Sequence, residues 1–224
     1  VYIDDAQSTS CTSIDAQTYV LYIDRCSDVR SCTSIDAQTY VAVHRSIDLS
    51  GRSHLLDLGG ATGAYAIHFC RRNPGLSATV FDLPTTRPFA ERVIADSGMA
   101  DRISFAGGDF TTEDLPGGFD VAWLSQILPA RLDESANIVR KAAQSLVPGG
   151  LLLIQEFILD DNRSGPQHPA LFDLNMLSER LTGSLYKAEL AGFMRNAGLE
   201  DIRRLPLDLP QGCGIMAGTV PVGM

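Results

Sequence analysis

Residues 55–63 read Leu-Leu-Asp-Leu-Gly-Gly-Ala-Thr-Gly, an apolar run that ends in an acid and a glycine-rich turn. A helix-forming segment follows, and the next apolar run, Ser-Ala-Thr-Val-Phe-Asp at 77–82, ends in a second acid. This order is typical of the first half of a doubly wound nucleotide-binding sheet. Glycines at such a turn let the backbone approach a ligand closely. The carboxylate of Asp82 can accept hydrogen bonds from both hydroxyls of a ribose.

The spacing of the glycines narrows the choice of ligand. A dinucleotide fingerprint has the form Gly-x-Gly-x-x-Gly. A frame that starts at Gly59 puts alanines at the later glycine positions, and a frame that starts at Gly60 puts Thr62 and Tyr65 there, so both frames fail. The pattern Asp-x-Gly-x-Ala-x-Gly, which begins at Asp57, instead resembles motif I of S-adenosylmethionine-dependent methyltransferases. That ligand contains no pyrophosphate, so the turn needs no phosphate cradle.

Composition sets limits on the class of protein. The chain has 224 residues, of which 45% are hydrophobic, and this suits one α/β domain with a sizeable core. Its formal net charge is −9 without a long basic cluster, which argues against a nucleic-acid partner because phosphate binding relies on concentrated Lys and Arg. The apolar stretches are far shorter than the ~20 residues of a membrane span, and no signal peptide is apparent.

The cysteines point to a reducing compartment. The five cysteines are an odd number and form no Cys-x-x-Cys pair, so the spacing expected of a metal site is absent. A disulfide framework is a feature of smaller secreted chains. We therefore expect a cytoplasmic protein without a metal ion.

The N-terminal segment contains an internal repeat. The stretch Ser-Cys-Thr-Ser-Ile-Asp-Ala-Gln-Thr-Tyr-Val occupies residues 10–20 and recurs unchanged at 31–41. Two copies are too few for a solenoid, which needs about three. One interpretation is a duplicated strand-like unit. The other, which we prefer, is a recent duplication or an uncertain assignment of the sequence, and it carries no function. We divide the chain into a short N-terminal segment, 1–47, and a ligand-binding domain, 48–224.

From about residue 46 onward, strand and helix patterns alternate. Predicted strands cover residues 54–58, 77–81, 103–106, 120–125, 151–156, 202–207 and 213–220. Predicted helices cover residues 64–72, 87–97, 133–146, 170–180 and 187–197. The expected fold class is α/β, with a doubly wound, mostly parallel seven-stranded sheet covered on both faces. The last two strands have only a short Pro-Gly link, so one strand near the C-terminus should run antiparallel.

A series of short motifs carries a resemblance to one family. The motifs are Leu-Leu-Asp-Leu-Gly-Gly-Ala-Thr-Gly at 55–63, Phe-Asp-Leu-Pro at 81–84, Gly-Gly-Asp-Phe at 107–110, Phe-Asp-Val-Ala-Trp-Leu-Ser at 119–125, Leu-Val-Pro-Gly-Gly at 146–150, Ile-Gln-Glu at 154–156, Asp-Leu-Asn-Met-Leu at 173–177 and Asn-Ala-Gly-Leu at 196–199. Over residues 48–217 their order and spacing resemble the catalytic domain of plant-type and bacterial small-molecule O-methyltransferases. This family includes hydroxyindole, phenazine and polyketide methyltransferases.

The resemblance implies S-adenosyl-L-methionine as cofactor and assigns its contacts. The implied contact residues are Asp57, Gly59, Gly60, Gly63, Asp82, Leu83, Asp109, Phe110 and Ser125. The glycine turn would pass beneath the amino-acid part of the cofactor, and Ser125 would lie near its methionyl group. Asp82 would bind the ribose hydroxyls, with Leu83 beside the adenine. Asp109 would accept from the adenine amino group and Phe110 would pack on the ring. The alternative for Asp82 and Asp109 is a purely local role in a turn.

On the acceptor side, the resemblance implies that Asn175 and Met176 face the acceptor pocket, although Met176 could equally be core packing. Methyl transfer also needs an aligned acceptor oxygen and removal of its hydroxyl proton. In the family a His removes that proton, in a His-Asp-Trp motif after the fourth strand. Here the corresponding text is Ile-Leu-Pro-Ala-Arg-Leu-Asp-Glu at 127–134. Pro129 occupies the position of the base and cannot take a proton.

Three explanations for the missing base remain open. A different residue could be the catalytic base, either His168, since histidine titrates near neutrality, or Glu156, which matches a family acid that orients the His. Alternatively, the acceptor is acidic enough to arrive ionised. In the third explanation the domain binds the cofactor without transferring methyl, as a divergent or regulatory protein.

The short N-terminal segment is a second departure from the family. The family carries an N-terminal helical dimerisation domain, which also helps to close the acceptor pocket, so 1–47 would be its remnant or substitute. A homodimer is the assembly that the family implies, and the segment leaves it open. We expect an S-adenosylmethionine-dependent O-methyltransferase acting on a hydroxyl of a small aromatic or polyketide-like molecule. The alternative is a cofactor-binding domain without methyltransferase activity.

Overall fold

A computed structural model of the chain describes residues 42–43, 46–129, 131–162, 165–176 and 185–223. Nearly all of the N-terminal segment 1–47, including both copies of the repeat, lies outside the described residues. The division of the chain at residue 47 therefore stays a prediction.

A mixed β-sheet organises the domain. Its strands are β1 His54–Leu58, β2 Ser77–Asp82, β3 Ile103–Gly107, β4 Phe119–Ser125, β5 Leu146–Leu159, β6 Leu185–Tyr186, β7 Glu200–Arg204 and β8 Cys213–Thr219. Their order is β3-β2-β1-β4-β5-β8-β7, and β6 pairs with β5 off this path. The strand β8 runs antiparallel to both β5 and β7, whereas the other described pairs are parallel. The predicted fold class, with one antiparallel strand near the C-terminus, is confirmed.

Helices cover both faces of the sheet. They are α1 Ala64–Arg72, α2 Arg87–Asp96, α3 Leu132–Gln144, α4 Gln167–Met176 and α5 Lys187–Asn196. Phe69 of α1 and Val93 of α2 belong to the core on one face, and Ile138 of α3 and Leu190 of α5 belong to the core on the other. Each such buried side chain stabilises the fold by roughly 1.5–3 kcal/mol. None of the described helices is long and apolar enough to cross a membrane.

Several predicted bounds were wrong in detail. The strand expected at 202–207 is β7 Glu200–Arg204, shifted towards the N-terminus. We expected the third helix to continue to Leu146 and the next strand to begin at Leu151, after the turn Pro-Gly-Gly. Instead, α3 ends at Gln144 and β5 already begins at Leu146, which pairs with Phe119 ahead of a register shift in β4. The two-residue strand β6 was not predicted, because two residues are too short for an alternating pattern. Of the predicted helix 170–180, residues 170–176 belong to α4. Residues 177–184 lie outside the described part of the chain.

The strand order places a crevice at the centre of the sheet. β1 lies between β2 and β4, and the order of strands reverses there. Leu58, near the carboxyl end of β1, pairs with Phe81 of β2 and Leu124 of β4. The loops that follow these strands therefore emerge at the same edge. In open α/β sheets this switch point is where ligands bind.

Candidate active site

At positions 59 and 60 the turn after β1 has room only for glycine. Gly59 has a φ of +67°, and a Cβ there would lie 2.6 Å from Cγ2 of Ile127. A Cβ at Gly60 would lie 2.6 Å from Cγ of Asp57. Gly63 has a φ of +78° and precedes the first turn of α1. The predicted turn is thus a tightly packed backbone arch at the switch point, as a close approach to a ligand requires.

The side chain of Asp57 stabilises this arch. Its side chain is buried, and its Oδ2 accepts a hydrogen bond from the backbone N–H of Ala66 at 3.1 Å. Burial raises the pKa of this carboxyl from 3.8 to about 7, opposed by the Ala66 hydrogen bond. The structure therefore gives Asp57 an anchoring role between β1 and α1. Its contact with a ligand stays a prediction.

Asp82, at the end of β2, ties the same arch to the neighbouring strand. Its Oδ2 accepts from the N–H of Ala61 at 2.8 Å, and its Oδ1 accepts from the N–H of Leu83 at 2.7 Å. A carboxylate has about four lone-pair sites, so acceptor capacity remains for two hydroxyl donors. The side chain is half-buried, and Leu83 beside it is 46% exposed. Asp82 can therefore meet a ligand in the crevice.

The loop after β3 carries Asp109 and Phe110. Oδ1 of Asp109 accepts from both the hydroxyl and the backbone N–H of Thr111, at 2.6 Å and 2.9 Å. The hydroxyl of Thr111, and then its N–H, hold the pKa of Asp109 below its ordinary value. Oε1 of Glu113 in turn accepts from the N–H of Asp109 at 3.0 Å. Asp109 thus shapes its own turn as an ionised acceptor, and its contact with an adenine stays a prediction.

At the end of β4, the backbone takes an unusual path. Ser125 pairs with Gln155 of β5, and the next residue, Gln126, has a φ of +54°. Residues with positive φ other than glycine are uncommon and cluster at functional sites. The hydroxyl of Tyr65 donates to Oε1 of Gln155 at 2.8 Å. This buried bond links the start of α1 to β5, across Trp123 of β4, whose ring centroid lies 4.8 Å from that of Tyr65.

Glu156 holds the loop that leads to Pro129. Its Oε1 accepts from the backbone N–H groups of Ile127 and Leu128, at 3.0 Å and 3.1 Å. Burial raises the pKa of Glu156 from 4.5 to about 8, and the two N–H donors oppose this rise. The carbonyl of Pro129 accepts from the hydroxyl of Ser135 at 2.7 Å, which fixes the loop to α3.

The two predicted catalytic bases are not brought together. His168 lies at the start of α4, with its ring centroid 5.4 Å from that of Phe157. Successive residues of a strand face opposite sides of a sheet. Phe157, which belongs to the core cluster of α1 and α2, and Glu156, which bonds the loop before α3, therefore face opposite sides. Either residue as the base stays a prediction.

Asn175 and Met176 lie on the last turn of α4. Their side chains lie outside the described part of the chain. The predicted contact of these two residues with an acceptor therefore stays a prediction.

Sequence patterns missed several residues that shape the site. The backbone N–H of Ala61 donates to Asp82, and the buried side chain of Gln155 accepts from Tyr65. Neither alanine nor glutamine is a residue type that predicts such a role. Lys141 is buried on α3 and donates to backbone carbonyls of the loop that carries Phe110. A lysine within the predicted amphipathic helix, next to its apolar positions, was the one available signal, because lysine is almost never fully buried without partners.

Comparison with known proteins gives consistent matches. A family model described as an O-methyltransferase domain matches residues 20–200. The chain is 40% identical over 175 residues to a 3-hydroxy-5-methyl-1-naphthoate 3-O-methyltransferase of Streptomyces sahachiroi, covering 77% of this chain and 50% of that protein. It is 35% identical over 172 residues to a tetracenomycin polyketide synthesis 8-O-methyl transferase of Streptomyces glaucescens, covering 76% of this chain and 50% of that protein. The chain thus spans about half the length of these curated relatives.

A solved structure agrees in fold. The protein PigF, whose structure is described as solved with SAH, superimposes with a TM-score of 0.74 at 26% identity, covering 81% of this chain and 54% of PigF. The agreement extends the match from sequence motifs to the arrangement of the sheet and its helices.

Proposed function

The chain belongs to the O-methyltransferase domain family, and from this premise we propose that it transfers a methyl group from S-adenosyl-L-methionine to a hydroxyl of a small aromatic or polyketide-like molecule. The observation that carries the proposal is the glycine arch after β1, which the carboxylate of Asp82 ties to β2 at the switch point of the sheet. The names of the relatives, a naphthoate and a tetracenomycin methyltransferase, support the acceptor class.

The residues at this edge of the sheet suit the proposed cofactor. A ribose offers two hydroxyl donors, and Asp82 keeps acceptor capacity after its two backbone bonds. A purine needs an apolar surface and a polar acceptor, which Leu83 and Asp109 would supply on neighbouring loops. The carboxylate of Asp82 also suits a cationic ligand, because a nearby negative charge stabilises a positive one. The geometry of this edge of the sheet favours these contacts.

The bound cofactor would supply an activated methyl group on a positively charged sulfur. The remaining task of the protein is to orient the acceptor oxygen behind that methyl, and alignment of this kind contributes much of the rate. Glu156 contributes by fixing the path of the loop at Ile127 and Leu128, beside the end of β4. For the proton of the acceptor hydroxyl, we propose His168 or Glu156 as base, or an acceptor that arrives ionised. Glu156 would be charged, and so able to accept a proton, in most molecules only above a pH of about 8.

Cofactor binding is tested by calorimetric titration with S-adenosylhomocysteine. We expect the wild-type chain to bind it and Asp82→Ala to bind about a hundredfold more weakly, because two hydrogen bonds to a charged acceptor contribute about 3 kcal/mol. Asp96→Ala removes an exposed carboxylate at the end of α2 and is the matched control, with unchanged affinity expected. If the wild type and Asp82→Ala bind with the same affinity, the proposal that Asp82 and the glycine arch form the cofactor site is contradicted.

Methyl transfer is tested separately, with a panel of hydroxynaphthoates and polyketide phenols in the presence of S-adenosyl-L-methionine. We expect turnover of at least one acidic phenol. His168→Ala and Glu156→Gln, compared at saturating cofactor, distinguish the candidate bases. A chain that binds S-adenosylhomocysteine but methylates none of the panel would contradict the proposed transfer while leaving cofactor binding in place.

A further inference from the structure

Lys141 makes an unusual set of contacts. It lies on α3, its residue is only 7% exposed, and its Nζ donates to the backbone carbonyls of Phe110, Thr111 and Glu113, at 3.1, 3.2 and 2.6 Å. A lysine ammonium has three N–H donors, so these carbonyls can use all of them. Burying an ammonium group is costly unless it is hydrogen-bonded. The three hydrogen bonds offset that cost and hold the ammonium of Lys141 at this loop.

The loop that Lys141 holds is the one that carries Asp109 and Phe110. Within the loop, Thr111 and Glu113 bond to Asp109 and set the shape of the turn. Those local bonds do not determine where the turn sits relative to the crevice. On one side the turn is tied to β2, because the N–H of Gly108 donates to the carbonyl of Asp82 at 3.0 Å. Lys141 supplies the tie on the other side, to a helix whose other buried residues pack on the sheet.

We propose that Lys141 is a positioning residue for the adenine end of the cofactor site. The inference rests on the proposed function, since it takes Asp109 and Phe110 as the adenine contacts. Lys141 does not touch the cofactor in this proposal and acts through the placement of the loop. Its loss should therefore weaken cofactor binding and raise the KM for the cofactor. The kcat at saturating cofactor should be retained, because the reacting methyl lies at the other end of the cofactor, near Ser125.

The direct test replaces Lys141 by Met, which keeps an unbranched side chain, shorter by one atom, and removes its donors. Calorimetric titration with S-adenosylhomocysteine should show affinity about tenfold weaker in Lys141→Met, because the loop that carries Asp109 and Phe110 loses its tie to α3. Lys141→Arg keeps the charge and donors and should restore part of the affinity. If Lys141→Met does not fold, Lys141→Gln, which keeps an amide donor with a shorter reach, makes the same comparison.

A second probe separates positioning from general weakening. It is an S-adenosylhomocysteine analogue in which hydrogen replaces the amino group of the adenine. The wild type should bind this analogue more weakly than S-adenosylhomocysteine. In Lys141→Met the two ligands should bind with more similar affinity, because a displaced Asp109 no longer accepts a hydrogen bond from the amino group. Equal discrimination in both proteins would overturn the inference.

Arg102 offers a matched control. Its Nη2 donates to the backbone carbonyls of Cys70 and Asn73, at 2.7 Å and 2.6 Å, but it precedes β3 and so lies at the opposite edge of the sheet. Arg102→Met should lower the melting temperature and leave the affinity for S-adenosylhomocysteine unchanged. If Arg102→Met and Lys141→Met weaken binding equally, Lys141 has no special position. If the wild type itself fails to bind, the proposed function is wrong, whereas unchanged affinity in Lys141→Met overturns only this inference.

Discussion

Two buried acids meet backbone N–H groups at the carboxyl edge of the sheet. Asp57 accepts from Ala66, and Glu156 accepts from Ile127 and Leu128. Burial raises the pKa of both acids, to about 7 and about 8, because a charged carboxylate loses its hydration there. At these residues, the protonation state of the site is therefore coupled to the stability of the fold.

The coupling has a definite sign. Glu156 ionises near 4.5 in an unfolded chain and near 8 in the folded one, so between these values the folded state binds more protons. Its contribution to the free energy of unfolding is fully present below pH 4.5 and is lost as the pH rises through about 8. We expect Glu156→Gln to lose less free energy of unfolding between pH 5 and pH 8 than the wild type. Denaturant unfolding at several pH values measures this.

Asp96→Asn is the control for that experiment, because Asp96 is an exposed carboxylate far from the site. It should reproduce the wild-type slope of unfolding free energy against pH. Identical slopes in the wild type and Glu156→Gln would mean that the carboxyl of Glu156 stays charged in the fold. The two N–H donors would then outweigh burial.

The glycine arch makes a second prediction at single residues. Gly60→Ala would bring a Cβ to 2.6 Å from Cγ of Asp57, so Asp57 or the arch must shift. We expect a loss of about 1–3 kcal/mol in the free energy of unfolding, as for other overpacked sites, together with weaker binding of S-adenosylhomocysteine. Gly75→Ala, whose Cβ would meet nothing within 4 Å, should change the stability by no more than about 1 kcal/mol. A Gly60→Ala chain as stable as Gly75→Ala would contradict the packing argument.

Among the elements, those around the arch were predictable and those after α3 less so. The strand 54–58 and the helix 64–72 were predicted with the observed bounds, because a buried apolar run and a turn punctuated by glycines define them locally. The start of β5 was missed because Pro148-Gly149-Gly150 reads as a turn, whereas pairing with Phe119 decides its structure. Such pairing depends on a distant strand, which local patterns do not contain.

The same limit applied to the candidate site. Asp82 and the glycines were identified from spacing, because their roles follow from strand ends and a turn. The contacts of Lys141 depend on how α3 packs against a loop that precedes it by about thirty residues, as the separations of its hydrogen bonds show. No periodicity encodes that contact.

The helix α5 offers a stabilising change. Gly192 lies inside it, and a Cβ there would meet nothing within 4 Å. Alanine is favoured over glycine in a helix by about 1 kcal/mol, so Gly192→Ala should raise the melting temperature by about 2–4 °C. Gly218→Ala in β8 is the contrasting variant, because its Cβ would lie 2.9 Å from Cε of Met194. That variant should melt at a lower temperature, and a lower melting temperature for Gly192→Ala would contradict the expected gain in helix stability.

At the scale of the whole molecule, the sheet unites the two cores. Trp123, the single tryptophan of the chain, lies on β4 with 0% exposure, against Tyr65 and Phe69. The other face of β4 packs in the core that includes Leu124 and Ile138. A single central strand therefore contacts both layers of helices, which favours one cooperative unfolding transition.

Tryptophan fluorescence tests this cooperativity. We expect blue-shifted emission from the native chain and a red shift during urea unfolding, because Trp123 moves from the core into water. The midpoint should coincide with the midpoint measured by far-ultraviolet circular dichroism. A fluorescence midpoint at lower urea would instead show that the centre of the sheet opens before the helices melt.

The hydrogen bonds of Glu156 have an evolutionary consequence. They engage the main chain of Ile127 and Leu128, so they do not depend on which side chain stands next at position 129. The backbone of the loop can thus keep its conformation when the residue type at position 129 changes. A lineage could exchange a proton acceptor for proline there, or regain one, by a few nucleotide changes and without rebuilding the scaffold. Position 129 can therefore change its residue type while the hydrogen bonds that hold the loop are kept.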